Sequence, residues 1–359
     1  MATIFGALRI SDTDRVFNST VGQRVIWDEA QRYIAAQNAA LNGILATFVD
    51  ETTAEHQRRY RLPGGGMLQR RGGQAQSGAV KASGYWDVAF PIDEYGDQVA
   101  GDDVSLAYMT AGELDRHIQT VNVRNINTVR FEVLRALLSN VAWTYPDSLH
   151  GNLTIQPLAN GDTVVYPPVI GSASEATDDH YVVAGYAATD ISNTNDPVAG
   201  IAIPELEEHF GQVTGGSPVA MLINTAQVAK ISDLAAIVPV PDNYVIPGDN
   251  VTLPTGLPML PGRVIGRHTN GAWVAQWDWI PSGYAMALHL EAPKPLVKRV
   301  DPADTGLPSD LALVSQDAEY PFRAAHWRNR FGFGVGNRLN GVVIQFKASG
   351  SYDVPTAYA

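Results

Sequence analysis

TAGELDRHIQTVNVRNINTVRFEVLRALLSNV, residues 110–141, is the stretch on which the fold turns. It opens with Thr110-Ala-Gly-Glu113, a capping box: the Thr hydroxyl caps one free amide of the first turn and the Glu carboxylate returns to another. Leu114, Ile118, Val121, Ile126, Val129, Val133, Leu134, Leu137, Leu138 and Val141 follow on one broad apolar stripe. That spacing predicts a helix. Pro146 is the expected terminator, and Asn125-Ile-Asn127 marks a possible bend. A helix of this extent is roughly 45 Å long at about 1.5 Å per residue. It is about three times the mean helix and serves as a spine.

Upstream, Ile26, Trp27, Ala30, Tyr33, Ile34, Leu41, Ile44, Leu45 and Phe48 recur at helical spacing, after an aperiodic arm over residues 1–23. Between this helix and the spine lies a different kind of sequence. RLPGGGMLQRRGGQAQSG (61–78) is Gly-rich, basic and poor in large apolar residues, so it has no means of burying itself. YWDVAFPIDEYGDQV (85–99) alternates and is interrupted at Pro91, as a strand would be. Residues 51–108 are therefore expected to form a long excursion: a strand out, a tip, a strand back. Loops of this length usually carry function.

Downstream the chain reads as mixed strands and short helices. Asn160-Gly161 between LTIQPL and TVVYPPV predicts one hairpin, and Asn270-Gly271 between RVIGRH and AWVAQWDWI another. IAIPELEEHFGQV is helical after Pro204, PVAMLI is a strand, and NTAQVAKISDLAAI is a helix capped by Asn224 or Thr225. The fold class is α+β.

RFGFGVGNRLNGVVIQF (330–346) tests whether this is nucleotide chemistry. Its glycines, Gly332, Gly334 and Gly336, have G-x-G-x-G spacing, and a β-branched run follows where a dinucleotide fingerprint needs a helix. No Gly-Lys-Ser/Thr triplet occurs in the chain. The stretch is a glycine-bent strand that turns at Asn340-Gly341 into a second strand.

Composition narrows the function. The 359 residues are 45% hydrophobic and only 17% charged, against about 25% charged in average domains. A low charge content suits a surface covered by partners. There is no cysteine, which excludes disulfides, thiolate metal sites and cysteine nucleophiles. No apolar run reaches membrane-spanning length, and MATIFGALRISDTDR mixes acid and base where a secretory leader would be apolar.

The net charge of −12 is unevenly placed. Residues 140–262 hold thirteen Asp/Glu against one base, Lys230. Residues 56–82 carry Arg58, Arg59, Arg61, Arg70, Arg71 and Lys81 with no acid, and residues 320–352 carry Arg323, Arg328, Arg330, Arg338 and Lys347 with none. Opposite patches on one chain suit association between copies.

Catalytic constellations are weak. H-E-x-x-H and G-x-S-x-G are absent. Asp178-Asp179-His180 is a candidate ligand set for a metal-dependent α+β enzyme, although adjacent residues rarely share one metal. Glu207-Glu208-His209 reads as a solvated helix face. Trp273, Trp277 and Trp279 share strand parity; such a ridge could bind sugars or bases, but burial in a core or a subunit interface is the reading preferred here.

The order of elements carries more than any motif. An arm with a helix (1–50), a Gly/Arg extended loop (51–108), a spine helix (109–150), an acidic α+β block (151–262) and returning strands (263–359) resemble the major capsid proteins of tailed double-stranded-DNA bacteriophages, the Hong Kong 97-type fold. The resemblance implies an extended β-loop, a peripheral domain built on the spine helix and an axial domain over most of 151–262. It implies a non-enzymatic structural protein whose copies form hexamers and pentamers and tile an icosahedral shell around packaged DNA, contacted non-specifically. It places the protein in the virion, assembled in the host cytoplasm, with no cofactor and no membrane. Because this chain begins at Met1 with the arm already present, a separate scaffold protein is expected, together with a portal and a possible cement protein. Arg58, Arg59, Arg61, Arg70, Arg71, Lys81, Arg328, Arg330 and Arg338 are the candidate subunit-interface residues. An encapsulin-like compartment shares the fold and is the alternative.

Overall fold

A computed structural model describes residues 23–61, 85–102, 110–159, 161, 165–166, 176–177, 180–210, 218–239, 260–317 and 322–358. In chain order the elements begin with α1 (Gln23–Leu45), β1 (Val49–Thr53), β2 (Gln57–Arg61), β3 (Tyr85–Ala89), β4 (Asp93–Asp102) and α2 (Ala111–Leu138). Next come β5 (Trp143–Asp147), β6 (Gly151–Ile155), β7 (Val165–Tyr166), β8 (Ala176–Thr177), β9 (Tyr181–Val183), α3 (Ile203–Phe210), β10 (Val219–Ile223), α4 (Thr225–Ser232) and β11 (Ile237–Pro239). The last are β12 (Arg263–His268), β13 (Trp273–Gln276), β14 (Tyr284–His289), β15 (Leu296–Arg299), β16 (Ala312–Asp317), β17 (Phe322–Val335) and β18 (Val342–Gln345). The chain divides into two units: Met1–Leu45, Ile92–Glu132 and Arg299–Gly332 form the first, and Ala46–Pro91, Val133–Lys298 and Phe333–Ala359 the second.

In the first unit β17 is flanked by β16 and β4, both antiparallel to it. Ala325, Trp327, Asn329 and Phe331 alternate onto one buried face, as period-two patterning requires. Ala30 and Ile34 of α1 meet Leu114, Ile118 and Val121 of α2 over Leu311 and Trp327. Burial of each large apolar side chain here is worth about 1.5–3 kcal/mol. The capping box of α2 is formed: Thr110 N–H donates to Glu113 Oε2 at 2.9 Å, and Glu113 N–H to Thr110 Oγ1 at 3.3 Å. Such a cap contributes about 1 kcal/mol.

Two expectations for α2 change. The helix continues through Asn125-Ile126-Asn127, where Asn125 is a buried polar contact, its Oδ1 accepting from Asn329 Nδ2 at 2.8 Å. It stops at Leu138, not at Pro146, and Val141 is exposed. Pro146 lies inside β5, opposite Asn152 of β6. A two-stranded ribbon tolerates Pro because one edge of each strand makes no ladder bond.

The second unit is built on a seven-stranded sheet in the order β11-β12-β13-β10-β14-β18-β9. Every residue of β10 is buried, as expected of a central strand covered on both faces. Val219, Met221, Ile223, Val274, Ala285, Ala287, Val342 and Ile344 form a core with Leu206 of α3 and Ile231 of α4. Asn224 caps α4, its side chain accepting from Ala226 N–H. The hairpin expected at Asn270-Gly271 is present as β12–β13, with Gly271 at φ 99°. Where one was expected at Asn160-Gly161, the described residues show β6 paired backward with β5, and β7 with β8. Asn160 itself lies outside the described residues.

The excursion expected over 51–108 is narrower. β2 and β3 form an antiparallel ribbon described as far as Arg61 opposite Tyr85, whereas β4 belongs to the first unit's sheet. Alternation alone does not separate a free ribbon from strands of a main sheet. The tip, 62–84, lies outside the described residues. At the base of the ribbon Tyr60 stacks on Trp86, with Val88, Phe90 and Val297 beneath.

The glycine series of β17 reports this packing. A Cβ on Gly334 would stand 2.6 Å from a ring carbon of Phe90 and 2.8 Å from the Ala89 carbonyl oxygen, and one on Gly336 would stand 2.7 Å from Val297. The glycines admit the ribbon base, not a phosphate. Gly334→Ala is expected to cost about 1–3 kcal/mol, the usual penalty of overpacking, read as a lower urea midpoint with unchanged slope. An unchanged midpoint would contradict this packing.

Candidate assembly surfaces

Arg58 lies on one face of β2 and Arg59 and Arg61 on the other, and nearby acids engage the first two. Arg58 pairs with Glu51 and, at 2.8 Å, with Glu55. Arg59 stands opposite Asp87 in the ladder and grips it with two hydrogen bonds of 2.6 and 2.7 Å, its guanidinium 4.1 Å from the Tyr85 ring centroid. The Arg59 hydrogen bond holds the Asp87 carboxyl below its usual range. Arg61 is exposed at the last described rung. Arg70, Arg71 and Lys81 fall outside the described residues.

The C-terminal arginines separate. Arg328 and Arg330 lie on the face of β17 opposite Trp327 and Phe331. Arg330 reaches Asp301 at 3.1 Å and Glu94 at 3.6 Å. Arg338 is withdrawn from the interface set: it is 2% exposed and donates to Gln156 Oε1 at 2.8 Å. Its place is inside the second unit, where it braces the turn before β18.

The sequence stripe passed over the apolar groups that do face outward. Val123 and Phe131 are 55% and 40% exposed, eight residues apart on α2 with exposed Asn127 midway. Tyr85 and Leu149 are exposed on the second unit, Leu149 at the tip of the β5–β6 hairpin. The signal was available: Val123 and Phe131 are the large apolar residues of α2 that miss the stripe.

The competing sites resolve differently. Asp178 and Asp179 lie outside the described residues, and His180 is buried, its carbonyl accepting from Val343 N–H. Among the described residues no group of three or more His, Asp or Glu is placed to hold a metal. His268 Nε2 and the Asp196 carboxylate form a buried pair at 2.9 Å, and His268 Nδ1 accepts from Asn270 N–H, so both ring nitrogens are engaged. Nearby, burial and Asp196 push the Tyr186 hydroxyl up to about 12. The expected burial holds for Trp277, which is 5% exposed and stacked between Phe48 and Trp279, while Trp273 lies beside Arg267. No helix among the described residues is long and apolar enough to cross a membrane.

His289 adds a pH dependence. It is buried, and its Nδ1 accepts from Ala292 N–H at 3.1 Å. Burial holds its pKa below the ordinary histidine value. The unfolded chain therefore binds a proton near pH 6.5 that the native chain resists, and stability falls as pH drops below that value. The slope is at most about 1.4 kcal/mol per pH unit and ends at the depressed native pKa. His289→Gln, which keeps an acceptor, should lose this limb of the stability–pH curve; an unaltered curve would refute the assignment.

An α+β chain with a long spine helix, an extended two-stranded ribbon and a separate large sheet has the Hong Kong 97-type architecture of phage capsid subunits. Structural comparison bears this out. A chain of Mycobacterium phage Patience superposes with TM-score 0.67 at 19% identity, covering 99% of this chain and 96% of the other. A chain from the mature capsid of bacteriophage PhiM1 superposes with TM-score 0.52 at 10% identity, covering 84% of this chain and 86% of the other. No protein-family model and no curated protein sequence matches the chain.

Proposed function

We propose that this chain is the shell-forming major capsid protein of a tailed double-stranded-DNA bacteriophage. The observation that carries it is a fold shared with a capsid subunit over most of both chains. Copies associate into hexamers and pentamers and tile an icosahedral shell that encloses DNA. The protein acts by packing and performs no catalysis. Residues 151–262 supply most of the axial domain, and α2 the spine of the peripheral one. The extended loop, with Arg61, Arg70, Arg71 and Lys81, contacts a neighbouring copy, and Arg328 contributes from β17. A scaffold protein, a portal and an external cement protein complete the assembly in the host cytoplasm.

The test is the mass and shape of the purified protein by light scattering and negative-stain microscopy, alone and after co-expression with the scaffold candidate from the same genome. Closed particles or rings of five and six are expected. A monodisperse monomer under both conditions would overturn the proposal.

A further inference from the structure

We propose that His56 and His150 form an acid-released clasp between the base of the ribbon and the β5–β6 hairpin. The inference goes beyond the shell-forming role and stands on a contact inside the second unit. His56 ends the connection from β1 to β2, and His150 ends the turn from β5 to β6. Their rings lie face to face, with centroids 3.6 Å apart and planes 7° from parallel.

Each ring stands on a fixed stretch of backbone. The His56 carbonyl accepts from Phe90 N–H at 2.9 Å, which ties it to the end of β3. Leu149 N–H and His150 N–H donate to Asp147 Oδ1 at 2.9 and 3.0 Å, which sets the turn. Beside the rings, the ribbon and the hairpin share a small apolar cluster of Ala89, Leu153 and Ile155, with Trp143 and Tyr145 against it. A junction of this size opens locally far more readily than the main sheet, whose strand β10 is buried along its whole length.

Protonation decides whether the rings stay together. Neutral imidazoles stack, and one proton is tolerated, since a cation can lie over a neutral ring. A second proton sets two like charges ring on ring, which the stacked form resists and the separated form does not. An imidazole without such a neighbour takes its proton at about pH 6.5. The open form therefore binds one more proton in acid, and below that range each pH unit shifts the equilibrium toward it by up to about tenfold. The charged groups around the pair are already engaged with one another or with backbone. Glu51 and Glu55 hold Arg58, Asp87 holds Arg59, Asp50 accepts from Lys294 N–H, and Asp147 accepts from the turn amides. His150 is exposed and His56 half-buried, so solvent reaches both. Acid thus frees the base of the ribbon from the hairpin, and neutral pH restores the clasp.

The test is amide hydrogen exchange of the full chain, read by mass spectrometry in neutral and in mildly acidic buffer and corrected for the intrinsic pH dependence of exchange. Between about pH 7.5 and about pH 5, protection over residues 54–60 and 148–155 should fall about tenfold or more relative to β14. β14 carries His289 and so reports the general loss of stability in acid. His150→Phe keeps an aromatic face over His56 and carries no charge at any pH, so the relative protection should change by less than about twofold. His56→Phe, the reciprocal change, should behave alike. Equal parental protection in both buffers relative to β14, or an acid loss that survives both substitutions, overturns the clasp. Because the contact lies within one chain, neither result bears on the shell-forming role.

Discussion

Deletion of residues 64–82 leaves a protein that folds and does not assemble. Arg61 opposite Tyr85 is the last described rung of the ladder between β2 and β3, and joining Pro63 to Ser83 leaves Leu62-Pro63-Ser83-Gly84 as a four-residue connection above it. Hairpins accept loops of this length. The contacts that anchor the ribbon lie below the cut: Tyr60 on Trp86, Arg59 on Asp87, and Phe90 against Gly334. Little folding energy is removed, and a shift of no more than about 3 °C is expected, which is under about 1 kcal/mol for a chain of this size. Self-association should fall by two orders of magnitude or more, because the deleted residues include Arg70, Arg71 and Lys81 of the acid-free segment. Sedimentation velocity at matched concentrations reads both species. Shells of normal yield from the deleted chain would remove the loop from the interface.

Asn340→Ala is the most damaging single change expected within a unit. Asn340 is fully buried; its Oδ1 accepts from His289 N–H at 2.8 Å, and its Nδ2 donates to the carbonyls of His289 at 3.0 Å and Pro293 at 2.9 Å. Alanine strands an amide and a carbonyl of β14 in an apolar interior and leaves a cavity. Each orphaned group costs about 1–3 kcal/mol, so the total is about 3 kcal/mol or more. Against a stability of roughly 5–15 kcal/mol this is a large fraction. Urea denaturation should show the midpoint falling accordingly. A loss below about 1 kcal/mol would mean that water replaces the side chain.

Asn340 shows how the sequence was legible and where it was not. Asn340-Gly341 announced a turn, and the turn is there, with Gly341 at φ 125°. Nothing local revealed that the same asparagine holds a strand about fifty residues earlier. The helices were readable because their signals are local: a capping box, an apolar period, an N-cap. Their ends were less so, since Pro146 stops a helix in principle but here sits in a ribbon after the helix has already ended. Among the described residues the partner of β6 is β5, across Ser148-Leu149-His150, a turn that carries no Asn-Gly or Asp-Gly signal to announce it. Among the candidate interface residues, Arg338 was misjudged because charge composition is blind to burial. Arg58 and Arg59 were placed on the correct ribbon, but the acids that engage them could not be paired from the sequence.

The chain passes between its two units five times, and the first unit is assembled from segments that end at Gly332. α1 packs on Leu311 and Trp327, which leave the ribosome more than 260 residues later. At about 5–20 residues per second, that is roughly 13–55 s during which an apolar helix face waits without its floor. Synthesis rate, temperature and chaperone supply in the producing cell therefore bear on how much native chain is made.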